Sequence, residues 1–239
     1  MITIDNLSYK YENSPHHILK NISVTFCPGV INVVIGKNGA GKTTLFDILT
    51  RIIRTEGTIT GLPSDKDIIY QLQGLFFPTT LTGKDLFRFF LYTDISSNLK
   101  IKNEPYTDED MSKNEVNFMN HIWNTKYGNM SIGERRYLSI LAITLIKRKF
   151  YIFDEPTSGV DPEARVRVLN RITKLVNDPE KIVLLSTHTL HELKNYPCKL
   201  HLLHHGEFEF QGTYQEFLDY YDSDDPDMAF YHMIHSDSQ

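Results

Sequence analysis

The chain has 239 residues, 41% of them hydrophobic and 23% charged, and a net charge of −5. That length can bury a substantial core, as one large domain or as a domain with a lobe. The acidic balance, with no basic tail or stripe, argues against nucleic-acid binding, which needs clustered cations to displace condensed counterions.

In chain order, Met1–Asp5 and Ile22–Phe26 alternate like strands of an antiparallel sheet, separated by a polar turn around Asn13–His17. Val30–Ile35 is an apolar run of β-branched residues, the mark of a strand buried on both faces. Thr44 to Arg54 reads as a helix, and Gly57–Thr60 and Asp67–Tyr70 as short strands. From about Leu81 to Leu145, apolar residues recur at helical spacing (Leu86, Phe89, Phe90), interrupted by a polar stretch from Thr93 to Asn114. That is a helical insertion, with Trp123 and the Phe87/Phe89/Phe90 cluster as its core or, in part, as a groove for a partner's helix.

Phe150–Phe153 and Ile182–Leu185 return to buried-strand runs, with Glu163–Val176 helical between them. Lys199–Leu203 and Glu207–Gln211 suggest a hairpin turning at His205-Gly206. Beyond Tyr221 an acidic tail, residues 222–239, is expected to be a solvated or frayed end. The start, MITIDNLSYKY, lacks the charged and apolar regions of a signal peptide. The longest apolar run, Leu138–Ile146, is half of what a bilayer crossing needs. A cytosolic chain is therefore expected, with Cys27 and Cys198 as buried thiols rather than a bridge. The pairs His204-His205 and His232/His235 lack a carboxylate or cysteine set at ligand spacing, so no metal beyond Mg²⁺ is expected.

The chemistry begins at Gly36-Lys37-Asn38-Gly39-Ala40-Gly41-Lys42-Thr43, which satisfies G-x-x-x-x-G-K-[ST] between a buried strand and a helix that opens near Thr44. The glycines let backbone N–H groups converge into an anion-binding nest, and the helix N-terminus adds partial positive charge. Lys42 can reach the β- and γ-phosphates, and the Thr43 hydroxyl can ligate Mg²⁺. Such a site needs an apolar strand ending in an acid, and Phe150-Tyr151-Ile152-Phe153-Asp154-Glu155 supplies it. Asp154 would hold Mg²⁺ through water, and Glu155 would polarise an attacking water.

Further motifs follow in order: Tyr70-Gln71-Leu72-Gln73, Met130-Ser131-Ile132-Gly133-Glu134, Ser158-Gly159-Val160-Asp161 and Ser186-Thr187-His188, with Tyr11 near the start. With these, the chain resembles the nucleotide-binding domain of ATP-binding-cassette (ABC) transporters over about Ile2 to Leu218. The resemblance implies an α/β fold: a P-loop NTPase (RecA-like) core with a mainly parallel sheet, an N-terminal antiparallel β subdomain, and an inserted α-helical subdomain. It implies one cassette over residues 1–221, with the insertion at about 78–147 carrying the signature.

The resemblance also implies roles. Tyr11 would stack on adenine, while Gly36 to Thr44 would bind phosphates. Gln73 would ligate Mg²⁺ or the water, and His188 would contact the γ-phosphate. Ser131, Gly133 and Glu134 would cap the ATP of a second subunit, and Asp161 would touch that subunit. Two ATP molecules would thus lie between two head-to-tail chains, either two copies or this chain and a sister ATPase subunit. Lys42, Gln73, Glu155 and His188 form the expected catalytic set, with ATP and Mg²⁺.

The signature departs from the family pattern LSGGQ: Ile132 replaces a glycine and Glu134 the glutamine. Glu134 sets a negative charge near a polyphosphate unless Arg135 or Arg136 neutralises it, so altered affinity is expected with hydrolysis kept. The implied function is the ATPase subunit of a membrane transporter. It would sit on the inner face of the membrane through separate integral subunits, and the Phe153–Pro162 run looks most like exporter cassettes. The alternative is a soluble cassette ATPase of an assembly machine, such as iron–sulfur cluster biogenesis.

Overall fold

The computed structural model of the protein describes residues 1–94, 104–107 and 111–235, with side chains as far as His232. The expected polar stretch Thr93–Asn114 falls partly outside these residues, as do the last four residues of the acidic tail and the His235 side chain. The chain divides into two compact units.

The first unit comprises Met1–Gln73, Arg148–Pro156 and Thr173–Gln239 and holds two sheets. β1 (Ile2–Tyr9), β2 (Leu19–Phe26) and β4 (Thr58–Thr60) make an antiparallel sheet in the order β2-β1-β4. β1 and β2 run longer than their alternation suggests. Their register shifts between Ile4 and Leu7, where Asn6 takes φ 49°, so an irregularity breaks the period-two pattern midway.

The second sheet runs β5-β6-β7-β3-β8-β9, with β3 (Ile31–Ile35), β5 (Ile68–Gln71), β6 (Phe150–Phe153), β7 (Ile182–Thr187) and β8 (Cys198–His204) parallel. Only β9 (Glu207–Thr213) is antiparallel, joined to β8 by a turn in which His205 and Gly206 have φ 46° and 86°. β3 is buried at all five positions because it lies inside the sheet, between β7 and β8. Its one polar residue, Asn32, is satisfied: Nδ2 donates to the Cys27 and Val183 carbonyls at 2.8 and 3.1 Å, and Oδ1 accepts from the Cys27 amide at 2.9 Å.

α1 (Lys42–Leu49) packs Leu45, Phe46, Ile48 and Leu49 into a core shared with Ile2, Ile4 and Phe26 of the small sheet and Val34, Ile152 and Leu184 of the large one. The helix starts and stops earlier than the expected Thr44–Arg54. Gly41 at φ 107° turns the chain directly into Lys42, and the Thr50 hydroxyl donates back to Phe46 O at 2.8 Å before Arg51 breaks the geometry at φ 60°. Near the end come α6 (Tyr214–Tyr220) and α7 (Pro226–His235). The tail expected to be a solvated or frayed end is therefore helical from Pro226. Proline is tolerated in the first turn, and Asp225 Oδ1 accepts the Asp227 and Met228 amides, so its acidic residues begin a helix rather than prevent one. Both cysteines are free and partly exposed rather than fully buried, and burial still pushes the Cys198 thiol up to about 11.

The second unit comprises Gly74–Lys147 and Thr157–Ile172. α2 (Gly83–Tyr92), α3 (Lys113–Ile122) and α4 (Ile132–Leu145) each open on a reciprocal capping box, Thr82/Asp85, Ser112/Glu115 and Ser131/Glu134. α5 (Pro162–Thr173), expected as Glu163–Val176, gives way to a 3-10 turn at Lys174–Asn177. Phe87 and Trp123 are buried, whereas Phe89 is 58% exposed, so it is not core. A buried ion pair, Arg171 to Glu115 at 3.3 Å, is closed by the Tyr137 hydroxyl donating to Glu115 and by Arg171 Nε donating to the Thr144 hydroxyl. No helix is long and apolar enough to cross a membrane among the described residues.

Candidate active site

Parallel strands end at one edge, and here the chemistry collects in the first unit. The β-register sets Gln71 beside Phe153, Phe153 beside Leu185, and Ile35 beside Thr187. The residues that follow these strand ends (Gln73, Asp154-Glu155, His188 and the Gly36–Thr44 loop) are therefore delivered to one place. Gln73, Asp154, Glu155 and, from the loop, Asn38, Gly39, Gly41, Lys42, Thr43 and Thr44 line a cavity of about 380 Å³ together with Tyr11 and Ile18.

The loop's shape demands its glycines. A Cβ at Gly36 would strike the Leu203 carbonyl oxygen, and one at Gly41, already at φ 107°, would lie 2.8 Å from Leu19 Cδ2. Lys42 curls back over the loop: Nζ donates to Gly36 O at 2.7 Å and Lys37 O at 3.2 Å and lies 3.9 Å from Glu155 Oε1. Burial pulls the Lys42 ammonium below its ordinary value, and the Glu155 and Asp154 charges pull it back up. Thr43 Oγ1 donates to Asp154 Oδ2 at 3.0 Å. Tyr11, 41% exposed, is tied by its hydroxyl to Thr44 Oγ1 at 3.2 Å.

Glu155 sits in the left-handed region at φ 47°, an uncommon conformation for a side-chain-bearing residue and one that a packed surround must hold. Its carboxylate accepts from Gln73 Nε2 at 2.8 Å and lies 3.5 Å from His188 Nδ1. Burial and the Asp154 charge raise the nearby Asp47 carboxyl. The chemistry of the donors suits Mg²⁺: Thr43, Asp154 and Gln73 offer hard oxygens in one cavity.

Ser186 belongs to this cluster, and sequence reasoning gave it no role. Its hydroxyl donates to Asp154 Oδ1 at 2.5 Å and accepts the Glu155 amide at 2.8 Å, so one oxygen fixes both acids. β7 is buried on both faces, and no alternation singles out which residue of Ser186-Thr187-His188 turns toward the acids. Ser186→Ala is expected to lower turnover by about 10- to 100-fold, as loss of a group orienting a ligand does, with ATP affinity nearly unchanged. Steady-state phosphate release and nucleotide titration check this.

In the second unit, Ser131 caps α4: Oγ accepts the Glu134 amide at 3.1 Å, and the Ser131 amide donates to Glu134 Oε2 at 2.7 Å. The neighbour that meets the Glu134 charge is His121, with Nε2 2.9 Å from Oε1, and not Arg135. Arg135 lies over the Tyr127 ring and donates to the Tyr127 and Gly128 carbonyls, because its guanidinium fits that carbonyl pair. A Cβ at Gly133 would come 2.9 Å from Ala164 Cβ and 3.0 Å from Asp161 Oδ2, so this glycine is needed within the chain itself. Asp161 Oδ1 accepts the Ala164 amide at 2.9 Å, a bond that holds its carboxyl below the usual range.

A glycine-rich loop after a central parallel strand, facing an Asp-Glu pair at the end of a neighbouring strand, defines a P-loop nucleotide hydrolase. Residues 19–158, more than half of the chain, match the ABC transporter family. The chain belongs to that family, and it is an ABC ATPase. It is similar to the energy-coupling factor transporter ATP-binding protein EcfA1 of Thermotoga maritima, 28% identical over 91% of this chain and 84% of that one. It is also similar to an ABC transporter ATP-binding protein of Bacillus subtilis, YxlF, 29% identical over 90% and 72% of the two chains. Among solved structures, an ATP-binding subunit of an ABC transporter superposes with a TM-score of 0.78 at 20% identity, covering 98% of this chain and 99% of that one, a likeness of fold.

Proposed function

We propose that the chain is the ATP-hydrolysing subunit that powers a membrane transporter, working as a head-to-tail pair with a second copy or a sister cassette. The observation that carries this is the gathering of Lys42, Thr43, Gln73, Asp154 and Glu155 around one cavity in a chain of this family. Separately, the signature presents an exposed helix start, with Ile132 62% exposed, on which another molecule can settle.

ATP would lie with its adenine on Tyr11 and its phosphates on the loop amides, drawing Lys42 from the Gly36 and Lys37 carbonyls. Thr43, Asp154 and Gln73 would hold Mg²⁺, which neutralises charge on the phosphate oxygens. Glu155 accepts a proton from the attacking water as the bond from the γ-phosphorus to the bridging oxygen breaks, releasing ADP and phosphate. His188 would hold that water in line, and loss of the γ-phosphate would let the pair part.

Integral subunits on separate chains would place this chain on the inner face of the membrane. Export is the direction that the Phe153–Pro162 run favours, by resemblance. The assembly-ATPase reading draws no support from the relatives, which are named as transporter proteins. Ser131→Arg, made in a Glu155→Gln chain, is expected to abolish pairing by Mg·ATP on a sizing column while single-chain ATP binding persists. Pairing that survives this substitution would overturn the head-to-tail arrangement.

A further inference from the structure

We propose that His121 is a positioning residue for the signature: it offsets and holds the Glu134 carboxylate so that this helix start can accept a polyphosphate. The inference rests on the paired reading above. It begins from an apparent contradiction, since an anion-binding helix start here carries its own anion three residues in.

A carboxylate at this position suits the isolated helix. It takes the Ser131 amide at 2.7 Å and stands at the positive end of the macrodipole. Partial burial pushes that carboxyl up, but the Ser131 amide, His121 and the Ser131 hydroxyl together hold it below its usual range, so it is charged. The same charge repels an incoming phosphate.

Arg135, next along α4, is committed to Tyr127 and Gly128. Asp161, close to Gly133, adds a second negative charge. On α3, Glu115 is turned to Tyr137 and Arg171. His121, from the last turn of α3, is brought to Glu134 at 2.9 Å, with its side chain 65% exposed. Pairing driven by ATP should therefore weaken when this imidazole is removed.

The experiment uses full-length Glu155→Gln protein with Mg·ATP, and measures by sedimentation the ATP concentration for half-maximal pairing. His121→Ala is expected to need about threefold more ATP than the parent, the size of one exposed charge at a helix start. His121→Lys should restore the parent's requirement. In a Glu134→Gln background, His121→Ala should have no further effect. Single-chain ATP binding, measured at dilutions too low for pairing, should be unchanged by the His121 substitutions. If His121→Ala keeps the parent's ATP requirement, or adds its full effect to Glu134→Gln, the inference is overturned while the paired reading stands. If the Glu155→Gln chain never pairs with Mg·ATP, the paired reading fails and the inference falls with it.

Discussion

Glu155→Gln is expected to bind Mg·ATP as well as the parent and to hydrolyse it 100- to 10,000-fold more slowly, the span of a lost general base. The substitution keeps the side chain's length and volume, so the φ 47° backbone and the hydrogen bond from the residue's amide to the Ser186 hydroxyl survive. What it removes is the proton acceptor. It also removes the charge 3.9 Å from Lys42 Nζ, leaving that ammonium freer to serve the phosphates, so binding is not weakened. With cleavage stalled, pairs held by ATP should accumulate, and a sizing column would show them in Mg·ATP but not in Mg·ADP. Phosphate release at the parent rate would mean that another group accepts the proton.

Lys42→Ala is expected to weaken ATP binding by about a hundredfold, or ~3 kcal/mol, within the range for removing one partner of a buried charge pair. Lys42 is 6% exposed, and its ammonium is held by two carbonyls of the very loop that must receive the phosphates. Without it, the cavity keeps the Asp154 and Glu155 carboxylates and has lost the cation nearest them. Lys42→Arg should fail too, because a planar guanidinium does not fit where a compact ammonium is ringed by carbonyls. The extra stabilisation that ATP gives in a thermal melt, taken relative to each variant's own melt without nucleotide, should shrink in both variants. Unchanged ATP stabilisation would show that Lys42 does not meet the phosphates.

The parallel core was legible because buried strands announce themselves. Val30–Ile35, Phe150–Phe153 and Ile182–Leu185 are short β-branched or aromatic runs, and each became a strand of the large sheet. The hairpin at His205-Gly206 was legible because only residues tolerant of positive φ make that turn. Boundaries were less so. The expected helix Thr44–Arg54 misplaced both ends because its limits lie in the backbone angles of Gly41 and Arg51, and composition does not display those. In the acidic tail the aspartates are exposed, as expected, and what the composition did not display is that Asp225 also caps a helix start.

By itself the sequence determined which groups could do chemistry here, because a phosphate nest, a lysine, a hydroxyl and two strand-end acids are chemical types at fixed spacings along one chain. The tertiary structure alone decided who holds whom. Ser186 bridging Asp154 and Glu155, Gln73 reaching Glu155 across 82 residues, and His121 rather than Arg135 meeting Glu134 are partnerships between distant segments. Periodicity and motif spacing record only what lies along the chain, while hydrogen bonds and charges act through space. Their pairing therefore exists only once strands and helices have packed.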